Sequence, residues 1–307
     1  MRILIVGAGA TGGYFGARMA AAGRDVTFLV RAQRAAHLRA HGLQVVSPHG
    51  NFSIAPQLIA ANEIKAPFDF ILLTVKAFAL DAAIADLAPA VGPETMVMPV
   101  LNGMRHMDVL TAKFGAKAVI GGLCKIAGTI DAEGRIVQMT PLHEIAYGER
   151  DGSTTPRITA LDKAMTSCGF DARLTGTIER EMWEKWVVLA TMGGINCLMR
   201  GTIGEIAMAS GGMDLMHAFL DEVVTVVKTV GQAPSPELVA LAGKMLSPKA
   251  PMQSSSMYRD LQQGLPIEAD QIIGDLLARA QAAKMATPLL AATYAQLSVY
   301  QNRLKKA

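Results

Sequence analysis

A chain of 307 residues, 51% hydrophobic and 18% charged, has the length for about two domains and the apolar content for sizeable cores. A formal net charge of +3, with no basic patch interleaved with aromatics, argues against a nucleic-acid partner. The longest uncharged apolar run, Trp186 to Met199, is too short to span a bilayer, so no membrane partner is expected.

In chain order, Ile3 to Val6 reads as an apolar strand that runs into Gly7-Ala8-Gly9-Ala10-Thr11-Gly12. A helical pattern over Thr11–Ala22 follows. That context gives the GxGxxG spacing its meaning. Gly7 allows the tight turn, Gly9 lets a pyrophosphate approach the backbone, and Gly12 lets helix and strand pack closely. The helix N-terminus offers free N–H groups and a partial positive charge to phosphates. Because these residues form a strand, they are not expected to act as a signal peptide. A second strand, Val26–Val30, ends at Arg31, where an NAD enzyme would carry a carboxylate for the ribose hydroxyls. No carboxylate lies between Asp25 and Glu63, while Arg31 and Arg34 suit a 2′-phosphate. The pattern therefore predicts NADP(H).

Further strands are expected at Phe70–Val75, Thr95–Leu101 and Ala118–Gly121. Helices are expected at Gln33–Ala40, Ala79–Leu87 and Met107–Phe114. This alternation predicts an α/β fold with an N-terminal Rossmann-type doubly wound sheet. Leu43–Ser47 and Phe52–Ala55 read as a hairpin, and Arg135–Met139 and Glu144–Tyr147 as extra antiparallel strands. From about Ile178 the pattern is helical: Glu179–Leu198, Gly212–Val230, Pro236–Leu246, Ser254–Gly264, Ile267–Lys284 and Pro288–Lys305. The expected division is a nucleotide-binding domain over 1–175 and an all-helical C-terminal domain over 176–307, with a cleft between them as the default ligand site. Cys124, Cys168 and Cys197 are far apart, which predicts reduced thiols in a cytoplasmic protein. The basic tail Arg303-Leu304-Lys305-Lys306 reads as a solvated helix end.

Several residues could carry chemistry. Lys185, beside Trp183 and Trp186, could protonate a carbonyl oxygen that gains charge on hydride attack, or could pair with Glu181 four residues earlier. Glu268 and Asp270 are either carboxylates placed near a helix N-terminus or groups that hold a hydroxyl or an amide. Ser254-Ser255-Ser256 either cap a helix or bind a substrate carboxylate. Lys76 and Asn102 follow strands, at the sheet end where ligands bind in open α/β folds. His37 and His41 have helical spacing but no third ligand, so no metal is expected.

Together these motifs resemble the ketopantoate reductase (2-dehydropantoate 2-reductase) family over nearly the whole length. The resemblance implies that Gly7, Ala8, Gly9, Ala10, Thr11, Gly12 and Arg31 bind NADP(H), with Lys76 close to the cofactor. It assigns Asn102 to both cofactor and substrate, Ala127 to a backbone cofactor contact, and Glu268 to the nicotinamide and ribose. It makes Lys185 the general acid and Ser256 a substrate-binding group. The implied reaction is reduction of a 2-keto acid to a 2-hydroxy acid, with ketopantoate leading. The family admits monomers and dimers, so a homodimer is one expected state. The chain departs from the family pattern at Leu189, Gly193, Ile203 and Gln253, where the family has polar substrate contacts. A less polar pocket leaves open a related hydroxy acid dehydrogenase with another substrate. A non-catalytic NADP(H)-binding regulator is a further alternative.

Overall fold

Ile3–Val6, Phe70–Leu73 and Met96–Pro99 are apolar and buried at every position because they are covered on both faces, as parallel strands are. The computed structural model describes residues 1–248 and 252–305, so Lys306 of the basic tail lies outside the described residues. Two compact units emerge, 1–101 with 106–178, and 102–105 with 179–307.

In chain order the first unit carries β1 (Arg2–Val6), α1 (Ala10–Ala21), β2 (Asp25–Leu29), α2 (Ala32–His41), β3 (Leu43–Val46), β4 (Phe52–Ile54), β5 (Gln57–Ile59), β6 (Phe70–Leu73), α3 (Leu80–Leu87) and β7 (Met96–Pro99). It continues with α4 (Arg105–Phe114), whose first residue groups with the second unit, then β8 (Gly121–Ile130), β9 (Ile136–Gly148), α5 (Pro156–Met165) and β10 (Asp171–Leu174). The main sheet has the order β5-β2-β1-β6-β7 and is parallel throughout. Strand order reverses between β1 and β6, which marks the switch point where ligands bind beyond the strand ends. Leu4, Ile5, Ile71 and Leu72 are fully buried. Each such side chain contributes about 1.5–3 kcal/mol relative to exposure. The fold is thus the expected doubly wound α/β sheet of Rossmann type.

A smaller sheet, β10-β9-β3-β4 with β8 on β9, packs in the same unit. The hairpin of β3 and β4 is antiparallel, as expected. Two expectations differ. The strands expected at Arg135–Met139 and Glu144–Tyr147 are not separate: Ile136–Met139 and Glu144–Tyr147 both belong to β9, whose partner β8 supplies one long antiparallel ladder, and Arg135 stands just before it. Register shifts between Ile126 and Gly128, so Ala127 sits at a bulge. Ala118–Gly121 is not a strand either. Ala118 and Val119 spend their N–H groups on a turn, to the Gly115 and Ala116 carbonyls, which leaves a single bridge from Val119 to Val97. Gly121 joins β8 instead.

The second unit is helical: α6 (Ile178–Met199, with Ile178 itself in the first unit), α7 (Ile203–Met208), α8 (Gly212–Val230), α9 (Pro236–Met245), α10 (Ser256–Gln262), α11 (Asp275–Ala282) and α12 (Pro288–Leu304). Thr202, Ser235 and Ser255 cap α7, α9 and α10 with side-chain oxygens. The helix expected over Ile267–Lys284 is broken. A π turn at Asp270–Gly274 precedes α11, and Ile267 and Glu268 stand before any helix. Trp186, Phe219, Val223, Val227, Ile273, Leu276 and Leu290 form its core. No helix among the described residues is long and apolar enough to cross a membrane.

Candidate active site

β1 ends in a turn that only glycine fits comfortably: Gly7 has φ +97° and donates its N–H to the Leu29 carbonyl at 3.2 Å. The Thr74 hydroxyl, one residue beyond β6, lies 3.0 Å from the Val6 carbonyl and 3.1 Å from that of Gly7. It pins the turn to the neighbouring strand. A Cβ at Gly12 would collide with that hydroxyl and with the Gly7 carbonyl, so a side chain there would force α1 off the loop. Above Gly9 the space is open, with nothing within 4 Å of a built Cβ. α1 has no side-chain cap and no acidic residue in its first turn. The Ala10, Thr11 and Gly12 N–H groups therefore lack intrahelical acceptors and competing carboxylates.

Beside this loop lies a cavity of about 510 Å³. Gly7, Ala8 and Gly9 border it, together with Arg31 and Arg34 after β2 and Ala79, Ala83 and Asp86 at α3. Arg31 is exposed and makes no ion pair among the described residues. Arg34 is half-buried and donates to the Ala8 carbonyl at 3.2 Å and the Gly134 carbonyl at 2.9 Å. Burial lowers its pKa from the usual guanidinium value. An open loop, an unopposed helix N-terminus and two arginines suit a phosphorylated dinucleotide. Lys76 is exposed just beyond Val75, which lines the cavity. Ala127 does not line it, although Ile130 of the same strand does. Asp86 was not singled out from the sequence. Its spacing from Ala79 and Ala83 on one helical face was the available signal.

The other candidates lie in the second unit. Asn102 Nδ2 donates to Glu268 Oε2 at 3.2 Å, and Glu268 is only 7% exposed. Gly103, with φ +79°, brings the backbone so close to Gln271 that a Cβ would stand 2.5 Å from its carbonyl oxygen. Asn102 is thus tied to the segment that enters the π turn. Trp186 donates its indole N–H to the Ile272 carbonyl at 2.9 Å, which fastens α6 to the same turn.

Lys185 is half-buried on α6, next in sequence to the buried Trp186, while the guanidinium of Arg279 lies over the rings of Trp183 and Trp186 at 5.6 and 5.8 Å. The pair with Glu181 does not form, and no other ion pair holds Lys185 among the described residues. Glu184 is engaged elsewhere: it accepts from the Ser235 N–H at 2.8 Å and lies 3.9 Å from Arg180. Two turns along, the Gly193 Cα faces the serine segment; a Cβ there would meet the Met257 methyl at 2.9 Å and the Ser255 hydroxyl at 3.9 Å. Ser255 caps α10, whereas the Ser256 hydroxyl makes no hydrogen bond among the described residues. Asn196, a polar residue that could compensate for Leu189 and Gly193, lies off their face by helical spacing. It is fully buried, donates to the Gly201 carbonyl at 2.8 Å and accepts from the Ser255 N–H at 2.9 Å. Its place in the largely apolar second half of α6 is the sequence signal for this.

Family models match two stretches of the chain: "Ketopantoate reductase PanE/ApbA" over residues 3–152 and "Ketopantoate reductase PanE/ApbA C terminal" over residues 177–301. The chain is 35% identical to the oxidoreductase YkpB of Bacillus subtilis, across 98% of this chain and 99% of that one. It is 27% identical to the 2-dehydropantoate 2-reductase of Mesorhizobium japonicum, across 96% of each. A crystal structure of the 2-dehydropantoate 2-reductase of Geobacter metallireducens matches with a TM-score of 0.86 at 27% identity, across 97% of this chain and 99% of that one. The chain belongs to the ketopantoate reductase family, a family of oxidoreductases.

Proposed function

From that membership we propose that the chain reduces a 2-keto acid to the 2-hydroxy acid with NADPH, in the cytoplasm. The observation that carries this reading is Lys185: a half-buried ammonium on α6 without an ion-pair partner among the described residues. Such a group is available to a charge that arrives with substrate.

The glycine loop, the α1 N-terminus, Arg31 and Lys76 would hold the cofactor, which supplies hydride when bound. Lys185 Nζ holds a proton against the keto oxygen and gives it up as that oxygen becomes an alkoxide. Glu268 accepts from the Asn102 amide, and this leaves Asn102 Oδ1 free to orient a substrate hydroxyl or cofactor amide. Ser256, at the first turn of α10, offers its hydroxyl to the polar end of the acid.

Ketopantoate is the leading substrate, in keeping with the family. One observation favours a less polar 2-keto acid. The face of α6 beyond Lys185 presents Leu189 and Gly193, with the Met257 methyl against the latter. Ile203 is fully buried, and its N–H donates to the Gln253 main-chain carbonyl at 3.0 Å, which leaves the Gln253 side-chain amide as the polar group of these four positions. Beyond the Gln253 side-chain amide, a hydroxyl on the substrate would find no side-chain partner among these four positions, and unmet hydrogen bonds cost far more selectivity than a methylene. NADPH consumption across a panel of 2-keto acids, with the reverse reaction on the hydroxy acids, tests both readings. Ketopantoate ahead of branched and aromatic acids supports the first, the opposite order the second. No turnover with any of them overturns both.

A further inference from the structure

α3 and the turn before it place Ala79, Ala83 and Asp86 at intervals of four and three residues, on one face, and that face walls the cavity beside the glycine loop. The two alanines offer flat apolar contact. Asp86 is half-buried, brings the one carboxylate to the cavity lining, and makes no hydrogen bond or ion pair among the described residues. The cationic side chains of the cavity, Arg31 and Arg34, follow β2 rather than β6, and neither pairs with Asp86 among the described residues. The arginines and the carboxylate are thus carried by different elements.

We propose that Asp86 reads the exocyclic amine of adenine in the bound dinucleotide. The proposal rests on the reading that this cavity takes the adenosine end of NADP(H). A carboxylate that binds ribose hydroxyls would stand at the end of β2, where Arg31 is found instead. On α3, above two methyl groups, the complementary ligand edge is an N–H donor beside an aromatic face. The adenine 6-amino group supplies that, and its two protons match an acceptor-only carboxylate. Hypoxanthine presents a carbonyl at the same position and would meet Asp86 with like polarity.

The test is the dissociation constant of the intact chain for NADPH and for reduced nicotinamide hypoxanthine dinucleotide phosphate, read by cofactor fluorescence without substrate. The wild type is expected to hold the adenine form about tenfold tighter, the lower range for a hydrogen bond to a charged group. In Asp86→Ala that preference collapses, mainly because the hypoxanthine form gains affinity. In Asp86→Asn, whose amide can accept from an amine or donate to a carbonyl, both forms bind about equally. A half-exposed side chain without partners leaves both variants folded, which melting temperature checks. Retention of the full adenine preference in Asp86→Ala overturns the proposal and leaves the cofactor site standing. A wild type that binds neither form overturns the site reading, and the proposal with it.

Discussion

Asn196→Ala is the substitution whose cost is clearest from the geometry. It strips the Gly201 carbonyl of its 2.8 Å donor and the Ser255 N–H of its 2.9 Å acceptor. Gly201 is buried, so water does not readily replace the amide. That group is worth about 1–3 kcal/mol when orphaned, by the usual desolvation cost. The Ser255 N–H is half-exposed and adds about 0.5–1.5 kcal/mol. The expected loss is about 2–4 kcal/mol, or about 5–12 °C in melting temperature for a unit of this size. Urea unfolding followed by circular dichroism gives the first figure directly. Because Asn196 also fixes the backbone before Ser256, KM for the keto acid is expected to rise more than kcat falls. Asn196→Asp keeps the acceptor for Ser255 but turns an oxygen toward the Gly201 carbonyl, so it should recover only part of the stability. An Asn196→Ala variant within about 0.5 kcal/mol of the wild type would refute this view of the clip, since that is the range of a featureless surface change.

Gly12→Ala is expected to abolish NADPH binding, because its methyl meets the Thr74 hydroxyl and the Gly7 carbonyl; calorimetric titration checks this. Arg31→Ala should weaken NADPH about tenfold or more and leave NADH nearly unchanged, the signature of a lost phosphate contact. Arg34→Ala should weaken both cofactors, because Arg34 holds the Ala8 carbonyl of the loop; parallel titrations separate the two arginines. His143 stacks on His49 at 3.8 Å and bonds Tyr14 through Nδ1 at 2.7 Å. Burial, then His49, and then Arg18 hold its pKa below the usual histidine value, against the pull of Asp171. The folded state thus binds the proton later than the unfolded chain, so stability falls as pH drops below about 6.5. Thermal melts between pH 8 and 5 should show that decline, flattened in His143→Gln.

The glycine loop is legible in the sequence because its determinants are local: a strand, a positive-φ turn and a helix start within a dozen positions. The apolar runs of β1, β6 and β7 are legible for the same reason. β8 is not, because Gly121, Gly122 and Gly128 weaken its intrinsic strand signal and its ladder comes from β9. The π turn at Asp270–Gly274 leaves no periodic trace, since α11 resumes the same apolar pattern after it. Lys185 shows how far spacing goes. The interval to Glu181 suits an ion pair, yet the pair is absent, and only tertiary packing decides that. Asn196 is the converse, a polar residue in the largely apolar second half of α6 whose partners, the Gly201 carbonyl and the Ser255 N–H, no local pattern links.

The most direct test of the account is Lys185→Ala, measured for both turnover and cofactor binding. Loss of the proton donor is expected to lower kcat for the best keto acid by about 10²–10⁴, with the NADPH dissociation constant unchanged. A variant that keeps wild-type kcat would contradict the role assigned to Lys185.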